Sequence, residues 1–191
     1  MEQTDSEIIK KYLSGDKESL DKIIDKYLAH VYNFVRRLYN NESDATDITQ
    51  EVFIKVWKNI HKYNPAQNFK TWLFTIARNT TVDWMRKKKV YVFSDLENGE
   101  EDESFADRLV DIEPLPEDIF SQKELKNNLE KLLTTLHPDQ KSVIMLHISE
   151  DMTFDEISKV LKKPLNTIKS HYRRGLEKLR KNIVNAPNLK D

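Results

Sequence analysis

Cysteine is absent from this sequence of 191 residues, glycine occurs only 3 times and proline 6 times. Without thiols there is no disulfide framework and no thiolate zinc site, and a reducing compartment is permitted. So few turn residues argue against a sandwich, a barrel or a Gly-rich phosphate loop. The histidines, His30, His61, His137, His147 and His171, are scattered and match no metal-ligand spacing. No metal, no cofactor and no enzymatic active site are therefore expected. No apolar run approaches the roughly 18–20 residues of a membrane span. The acidic start Met1-Glu2-Gln3-Thr4-Asp5 lacks the apolar stretch of a signal peptide. The expectation is a cytoplasmic protein without membrane insertion.

What the chain does have is charge, unevenly laid out. Charged residues are 33% of the sequence, hydrophobic residues 38%, and the net charge is only -1. Residues 1–93 carry 16 basic and 12 acidic groups, and residues 120–191 carry 14 and 9. Residues 94–119, between them, carry one basic group against 11 acidic ones. Such a segment repels itself and stays extended. It reads as an acidic flexible linker, or more sharply as an acidic strand that occupies a basic channel on a partner.

Both flanking blocks show helical patterning and no internal repeat. Leu20, Ile23, Ile24, Tyr27, Leu28, Val31, Val35 and Leu38 keep the three-four spacing of a buried stripe, with Asp16 as the expected N-cap. A second helix, starting near Ser43 or Asp44, has Ala45, Ile48, Val52, Val56 and Ile60 on one side, joined by Phe53 and Trp57. A third follows the breaker Asn64-Pro65 and carries Phe69, Trp72, Leu73, Ile76, Ala77 and Trp84. In the second block, a leucine stripe from Leu125 to Leu136 stops at His137-Pro138, and Pro138 suits the first turn of the next helix. Thr153-Phe154-Asp155-Glu156 spells a capping box. After Lys162-Lys163-Pro164, the residues Ile168, Tyr172, Leu176, Leu179 and Ile183 are expected to form the inner side of a last helix. The fold class is all-α: a helical bundle in 1–93 and a second helical domain in 120–191, joined by the linker 94–119.

Two short helices around a tight break, the second basic, spell a helix-turn-helix. With Ile168, Leu176 and Leu179 inward, Asn166, Thr167, Ser170, Arg173 and Arg174 project outward, flanked by Lys169 and His171. Short polar groups can approach base edges, and Arg can grip guanine or phosphate with two prongs. Gly175 inside the same helix costs about 1 kcal/mol relative to Ala.

The first block offers two more surfaces. Asp47, Gln50, Glu51, Ile54 and Lys58 share the outer side of the second helix, an apolar contact among acidic groups that suits a basic protein surface. On the third helix Thr75, Arg78, Asn79, Val82 and Arg86 face away from the Trp72/Ile76 stripe, and the run Arg86-Lys87-Lys88-Lys89 follows. Trp72 and Ile76 fit the core. The same aromatics, with Phe69, Phe74 and Trp84, also lie close enough to these cations for stacking on single-stranded bases, worth roughly 1–3 kcal/mol per base.

Two stretches, Asp44-Ala45-Thr46-Asp47-Ile48-Thr49-Gln50-Glu51-Val52-Phe53 and Phe69-Lys70-Thr71-Trp72-Leu73-Phe74-Thr75-Ile76-Ala77-Arg78-Asn79, resemble region two of bacterial RNA polymerase sigma factors. Thr167-Ile168-Lys169-Ser170-His171 and Glu177-Lys178-Leu179-Arg180 resemble region four. Two regions in this order, with no helical domain between them, resemble the extracytoplasmic-function class. The resemblance implies that Asp47, Gln50, Glu51 and Ile54 dock on core RNA polymerase. It implies that Phe69, Trp72, Arg78, Asn79, Arg86 and Lys87 bind the melted single strand of the minus-ten element. It implies that Asn166, Thr167, Lys169, Ser170, His171, Arg173 and Arg174 enter the duplex major groove at the minus-thirty-five element. An anti-sigma factor is a further implied partner. His171 stands where the family frequently has Arg. The competing classes are an ordinary DNA-binding regulator, whose first block senses or dimerises, and an adaptor that binds protein only.

Overall fold

The computed structural model describes residues 3–97 and 131–185, with side chains up to 88 and from 131 to 184. The acidic segment beyond Glu97 and the Leu125 and Leu129 positions of the leucine stripe lie outside the described residues. Among the described residues the structure is helical without strands.

Helix α1 (Asp5–Leu13) opens on a capping box in which Glu7 N donates to Thr4 Oγ1 and Thr4 N donates to Glu7 Oε2. It ends at Ser14, followed by Gly15 at φ 111°, a conformation that L side chains rarely adopt. The hydrophobic spacing of residues 20–38 gave no hint of this short element. Its Asp5 carboxylate accepts from Tyr27 Oη at 2.6 Å and from Lys26 Nζ at 2.6 Å, which ties it to α2 (Glu18–Tyr39). The expected Asp16 cap is corrected: the N-cap is Lys17, and the Asp16 carboxylate instead accepts from Ser19 Oγ. The left-handed Asn40, at φ 60°, ends α2, and Asn41 caps α3 (Glu42–Asn59), slightly earlier than expected. A 3-10 turn (Ile60–Lys62) leads to α4 (Phe69–Glu97), which continues into the first residues of the segment read as linker.

The first bundle buries the expected stripes. Ile23, Val31, Val35, Ile48, Val52, Leu73 and Ala77 are essentially inaccessible, and Phe34 meets Phe74 edge to face at 5.4 Å. Trp57 departs from expectation. It is 55% exposed, because its position turns it to the Ile54 side of α3 rather than inward.

The second unit begins, among the described residues, with a helical stretch over 131–134. Helix α5 (Pro138–Ile148) has Pro at its start, as expected, and His137 as its cap. Helix α6 (Phe154–Leu161) has the predicted capping box: Glu156 N donates to Thr153 Oγ1, and Thr153 N to Glu156 Oε2. It ends at Lys162 in the left-handed region, and α7 (Leu165–Asn185) follows Pro164. Ile168 is fully buried on the inner side of α7, with Tyr172 and Leu179 partly buried. Leu176 and Ile183 correct the expectation, being 37% and 43% exposed. Gly175 takes the inner place beside them: a Cβ there would lie 2.7 Å from Ile144 Cδ1 of α5. The missing side chain lets the two helices approach closely, which is the reason for the low-propensity residue.

The two units pack on each other. Helix α4 lies along α6, α2 touches the start of the second unit through α5, and one buried apolar cluster runs through both.

Candidate nucleic-acid interface

Three surfaces contain the sequence-predicted residues. The first is the inner length of α4. Asn68 Oδ1 accepts from Thr71 N and so caps the start of α4, while Asn68 Nδ2 donates to Glu156 Oε1 at 3.1 Å. Lys70 Nζ donates to the Glu150 carbonyl at 2.6 Å and lies 3.1 Å from Glu150 Oε2. Two turns on, Arg78 Nη2 donates to Asp139 Oδ1 at 2.6 Å, and Lys163 Nζ donates to Asp139 Oδ2 at 2.6 Å. Asn68, Lys70 and Arg78 thus carry the contact of the first turns of α4 with the second unit.

Asp139 is the focus of this contact. Its side chain is 9% exposed. Burial alone pushes its carboxyl up, but the hydrogen bonds from Lys163 and Arg78 outweigh this and hold it below the ordinary value of 3.8. Arg78 Nη1 also donates to Asn79 Oδ1, whereas buried Arg78 Nε has no acceptor among the described residues. His171 reaches the same neighbourhood. Its pKa is lowered first by burial and then by the Lys163 charge, both of which disfavour the charged ring.

The predicted minus-ten residues are not equally available. Phe69 is only 2% exposed and packs against Tyr27, Tyr63 and Trp72. Trp72 is partly buried in that aromatic group. Arg78 is engaged by Asp139, while Arg86 and Lys87 are exposed on the far end of the helix. A groove of about 1090 Å³ lies between the end of α2, α4 and the start of α5, with Val82, Met85 and Arg86 on one wall and Leu136 and Pro138 on the other.

The second surface is α7. Asn166, Lys169, Arg173 and Arg174 are exposed, and Thr167, Ser170 and His171 are partly so. Arg173 has one loose intrahelical partner, Glu177 at 3.8 Å. The third is the outer side of α3, where Asp47, Gln50 and Ile54 are exposed together with Trp57. Glu51 departs from this group. Its carboxylate accepts from Lys55 and from Trp84 Nε1 at 2.6 Å, and the Lys55 hydrogen bond is the main cause of its lowered pKa. It joins α3 to α4 more than it faces outward.

Sequence reasoning missed Trp57, Lys70, Glu150 and Asp139. The Ile54/Trp57 spacing of three was a readable signal for the first. The carboxylates carried none, since isolated acidic residues near helix starts are ordinary helix chemistry.

Among the described residues no group of three or more His, Asp or Glu side chains could hold a metal ion, and no helix is long and apolar enough to cross a membrane.

Comparison with known proteins matches residues 23–90 to Sigma-70 region 2 and residues 126–179 to Sigma-70 region 4. The chain is 34% identical to the ECF RNA polymerase sigma factor SigW of Bacillus subtilis, over 96% of this chain and 98% of that protein. It is 28% identical to B. subtilis SigX, over 87% of this chain and 84% of that one. Among solved structures, the sigma factor RpoE in complex with the anti-sigma factor NepR from Bartonella quintana is 25% identical, with a TM-score of 0.65 over 84% of this chain and 94% of that one. CnrH, solved with the cytosolic domain of CnrY, shares the fold at a TM-score of 0.69 and 18% identity, over 96% of this chain and 99% of that one.

Proposed function

The chain belongs to the extracytoplasmic-function sigma factors, which direct RNA polymerase to promoters, and on that premise we propose how its surfaces divide the work. The outer side of α3, with Asp47, Gln50, Ile54 and the exposed Trp57, docks on core RNA polymerase, and Glu51 braces that side against α4. Apolar contacts ringed by acidic groups supply both burial and charge complementarity to a basic partner. Helix α7 enters the major groove of the minus-thirty-five element through Asn166, Thr167, Lys169, Ser170 and His171, while Arg173 and Arg174 hold bases or phosphates. Residues 1–93 and 120–191 act as separate binding modules, with 94–119 as their tether. Two modules on a tether gain affinity through effective concentration when the tether spans both sites.

At the minus-ten element, Arg78, Asn79, Arg86 and Lys87 bind the non-paired strand, and Trp72 offers a ring edge for stacking. Phe69, being core, sets the start of α4 rather than touching DNA. Extruding a base costs a few kcal/mol, which stacking and hydrogen bonds at such a face can offset. No reaction chemistry is assigned to the chain itself. It acts in the cytoplasm with the polymerase, and an anti-sigma factor restrains it. The complex of the sigma factor RpoE with the anti-sigma factor NepR supports that last reading.

The observation that carries the proposal is the exposed cationic side of α7 in the same chain as the exposed Ile54/Trp57 side of α3. Reconstituted run-off transcription tests it: core polymerase plus this chain initiates at specific promoters in a promoter library, and core alone does not. A chain that binds duplex DNA but leaves core enzyme unprogrammed would be an ordinary regulator.

A further inference from the structure

Ala77 is the last fully buried apolar residue of α4 among the described side chains. Past it, Thr80, Trp84 and Lys88 recur every four residues on one side of the helix and meet Lys55, Glu51 and Asp44 of α3 in antiparallel order. Lys55 Nζ donates to Thr80 Oγ1 at 3.1 Å, Trp84 Nε1 to Glu51 Oε2 at 2.6 Å, and Lys88 Nζ to Asp44 Oδ2 at 3.2 Å. The first two rungs are joined, because Lys55 Nζ also lies 2.7 Å from Glu51 Oε1. Tyr39 of α2 closes the side: its ring meets Trp84 edge to face at 6.5 Å, and Lys88 Nζ stands 5.6 Å from its centroid. The Lys88 rung is a solvent-facing ion pair and adds little. The Trp84 rung sets a partly buried indole N–H on an ionised carboxylate, a charge-assisted bond and the strongest of the three.

We propose that Trp84 is a positioning residue for promoter-strand binding: held by Glu51, it fixes the tilt and rotation of the far part of α4, and so the placing of Arg86 and Lys87, without touching DNA itself. The proposal rests on the assignment of Arg86 and Lys87 to single-stranded DNA. Arg86 follows Trp84 by two residues, about 200° round the helix. The side that Trp84 turns to α3 therefore sets the opposite, exposed side on which Arg86 stands. From Ala77 to Arg86 the helix axis runs about 13 Å, so a tilt of about 10° at Ala77 carries Arg86 by about 2 Å. That is more than a hydrogen bond to a phosphate tolerates, since N–H···O distances span only about 2.7–3.2 Å. Glu51 serves two donors with one oxygen each. An amide in its place has a single acceptor oxygen and leaves one donor poorly met.

The test uses the full chain bound to core RNA polymerase. The probe is a fluorescein-labelled single-stranded deoxyoligonucleotide carrying the minus-ten strand of a promoter selected by the run-off assay. Anisotropy gives its affinity and salt dependence for the parent, Trp84→Phe, Glu51→Gln, the double variant and Arg86→Ala. Affinity for core polymerase is measured on the same chains, with circular dichroism as the check on helix content. Trp84→Phe keeps an aromatic ring and removes the N–H donor. Expected are about fivefold weaker oligonucleotide binding in Trp84→Phe, a smaller loss in Glu51→Gln, and no further loss in the double variant, as for two residues acting through one bond. The slope of log affinity against log salt becomes shallower by about 0.7–1.4, the signature of one or two lost phosphate contacts on a single strand. Trp84→Phe binds core polymerase as the parent does. Should Trp84→Phe lose its helices, Glu51→Gln decides by oligonucleotide affinity and slope. Unchanged oligonucleotide affinity in the folded variants overturns the proposal, and so do equal losses for oligonucleotide and polymerase, which would make Trp84 part of the general packing of the bundle. A weaker Trp84→Phe with an unchanged slope and an unaffected Glu51→Gln overturns it in favour of direct stacking on a base. All three results leave Arg86 and Lys87 on the strand. If Arg86→Ala alters neither affinity nor slope, the assignment beneath the proposal falls, and the proposal with it.

Discussion

Helices α4 and α7 both carry cations, yet they present them differently. On α7, Lys169, Arg173 and Arg174 stand in solvent with, among the described residues, at most a loose intrahelical partner. On α4, Lys70 and Arg78 are held against buried carboxylates of the other unit, and only the far end, with Arg86 and Lys87, is open. Both helices read as basic stripes in sequence. What separates them is the neighbour: the polar side of α7 faces solvent, whereas the first turns of α4 meet the other unit through Lys70 and Arg78. The cations of α7 therefore stand open to solvent, while Lys70 and Arg78 of α4 are paired across the contact between the units.

The comparison is broken most severely from beneath α7. Ile168 is fully buried, and Ile168→Ala removes atoms from a packed site, so unfolding of the second unit should become easier by about 2–5 kcal/mol. Urea denaturation measures it. A loss below about 1 kcal/mol would mean that α7 is not anchored through this residue. On the outer side the effect should move from stability to binding. Arg174→Ala should leave the denaturation midpoint within experimental scatter and weaken duplex promoter binding about tenfold, read by fluorescence anisotropy at fixed salt. A smaller loss follows at the entry to the helix-turn-helix. Thr153→Ala removes the capping hydroxyl of α6 and should destabilise the second unit by about 1 kcal/mol, while the first bundle melts as before.

The α4 side should respond to acid through a buried carboxylate. The Asp139 carboxyl is held below its ordinary value by Lys163 and Arg78 despite burial, with His137 Nδ1 also 4.0 Å away. A carboxyl with a depressed folded pKa contributes stability that is fully present above its unfolded value and is lost as pH falls through the folded one. The inter-unit contact should therefore hold from neutral pH down to about 4 and loosen below it. Acid titration of the distance between dyes placed at Ala29→Cys and Lys181→Cys, exposed positions on the two units of a chain without cysteine, reads this, and Asp139→Asn should lack the step.

The helices were largely legible because burying a stripe demands a three-four spacing, and because Pro138 and Thr153 have one physical use each at a helix start. Helix α1 was not, since so short and polar a segment gains its stability from Asp5 reaching Tyr27 and Lys26, partners that no local pattern reveals. Trp57 was misjudged because a large aromatic beside a core stripe is usually part of it. The exposed polar residues of α7 could be placed from the wheel alone, although Leu176 and Ile183, read as inner residues, could not. The partners of α4 could not: Arg78 and Asp139 are 61 positions apart, and Lys70 and Glu150 are 80. In a sequence, such charges look like any solvated helix surface.

The finest distinction between the two helices lies at Gly175, where α7 approaches α5. Alanine there regains about 1 kcal/mol of helix propensity. Its Cβ would also come within 2.7 Å of Ile144 Cδ1 and 3.4 Å of Gln140 Cβ. The nearer atom is the end of a rotatable side chain, so Ile144 can yield by turning away from its preferred rotamer, at about 0.5–1.5 kcal/mol. The two terms nearly cancel, and Gly175→Ala should change stability by less than about 1 kcal/mol. Gly175→Val adds branched bulk that Ile144 cannot evade and should destabilise by about 1–3 kcal/mol. Parallel urea melts of the two variants measure the difference. If valine is tolerated as well as alanine, the close approach of α5 and α7 is not what glycine serves, and the exposed posture of Leu176 needs another cause.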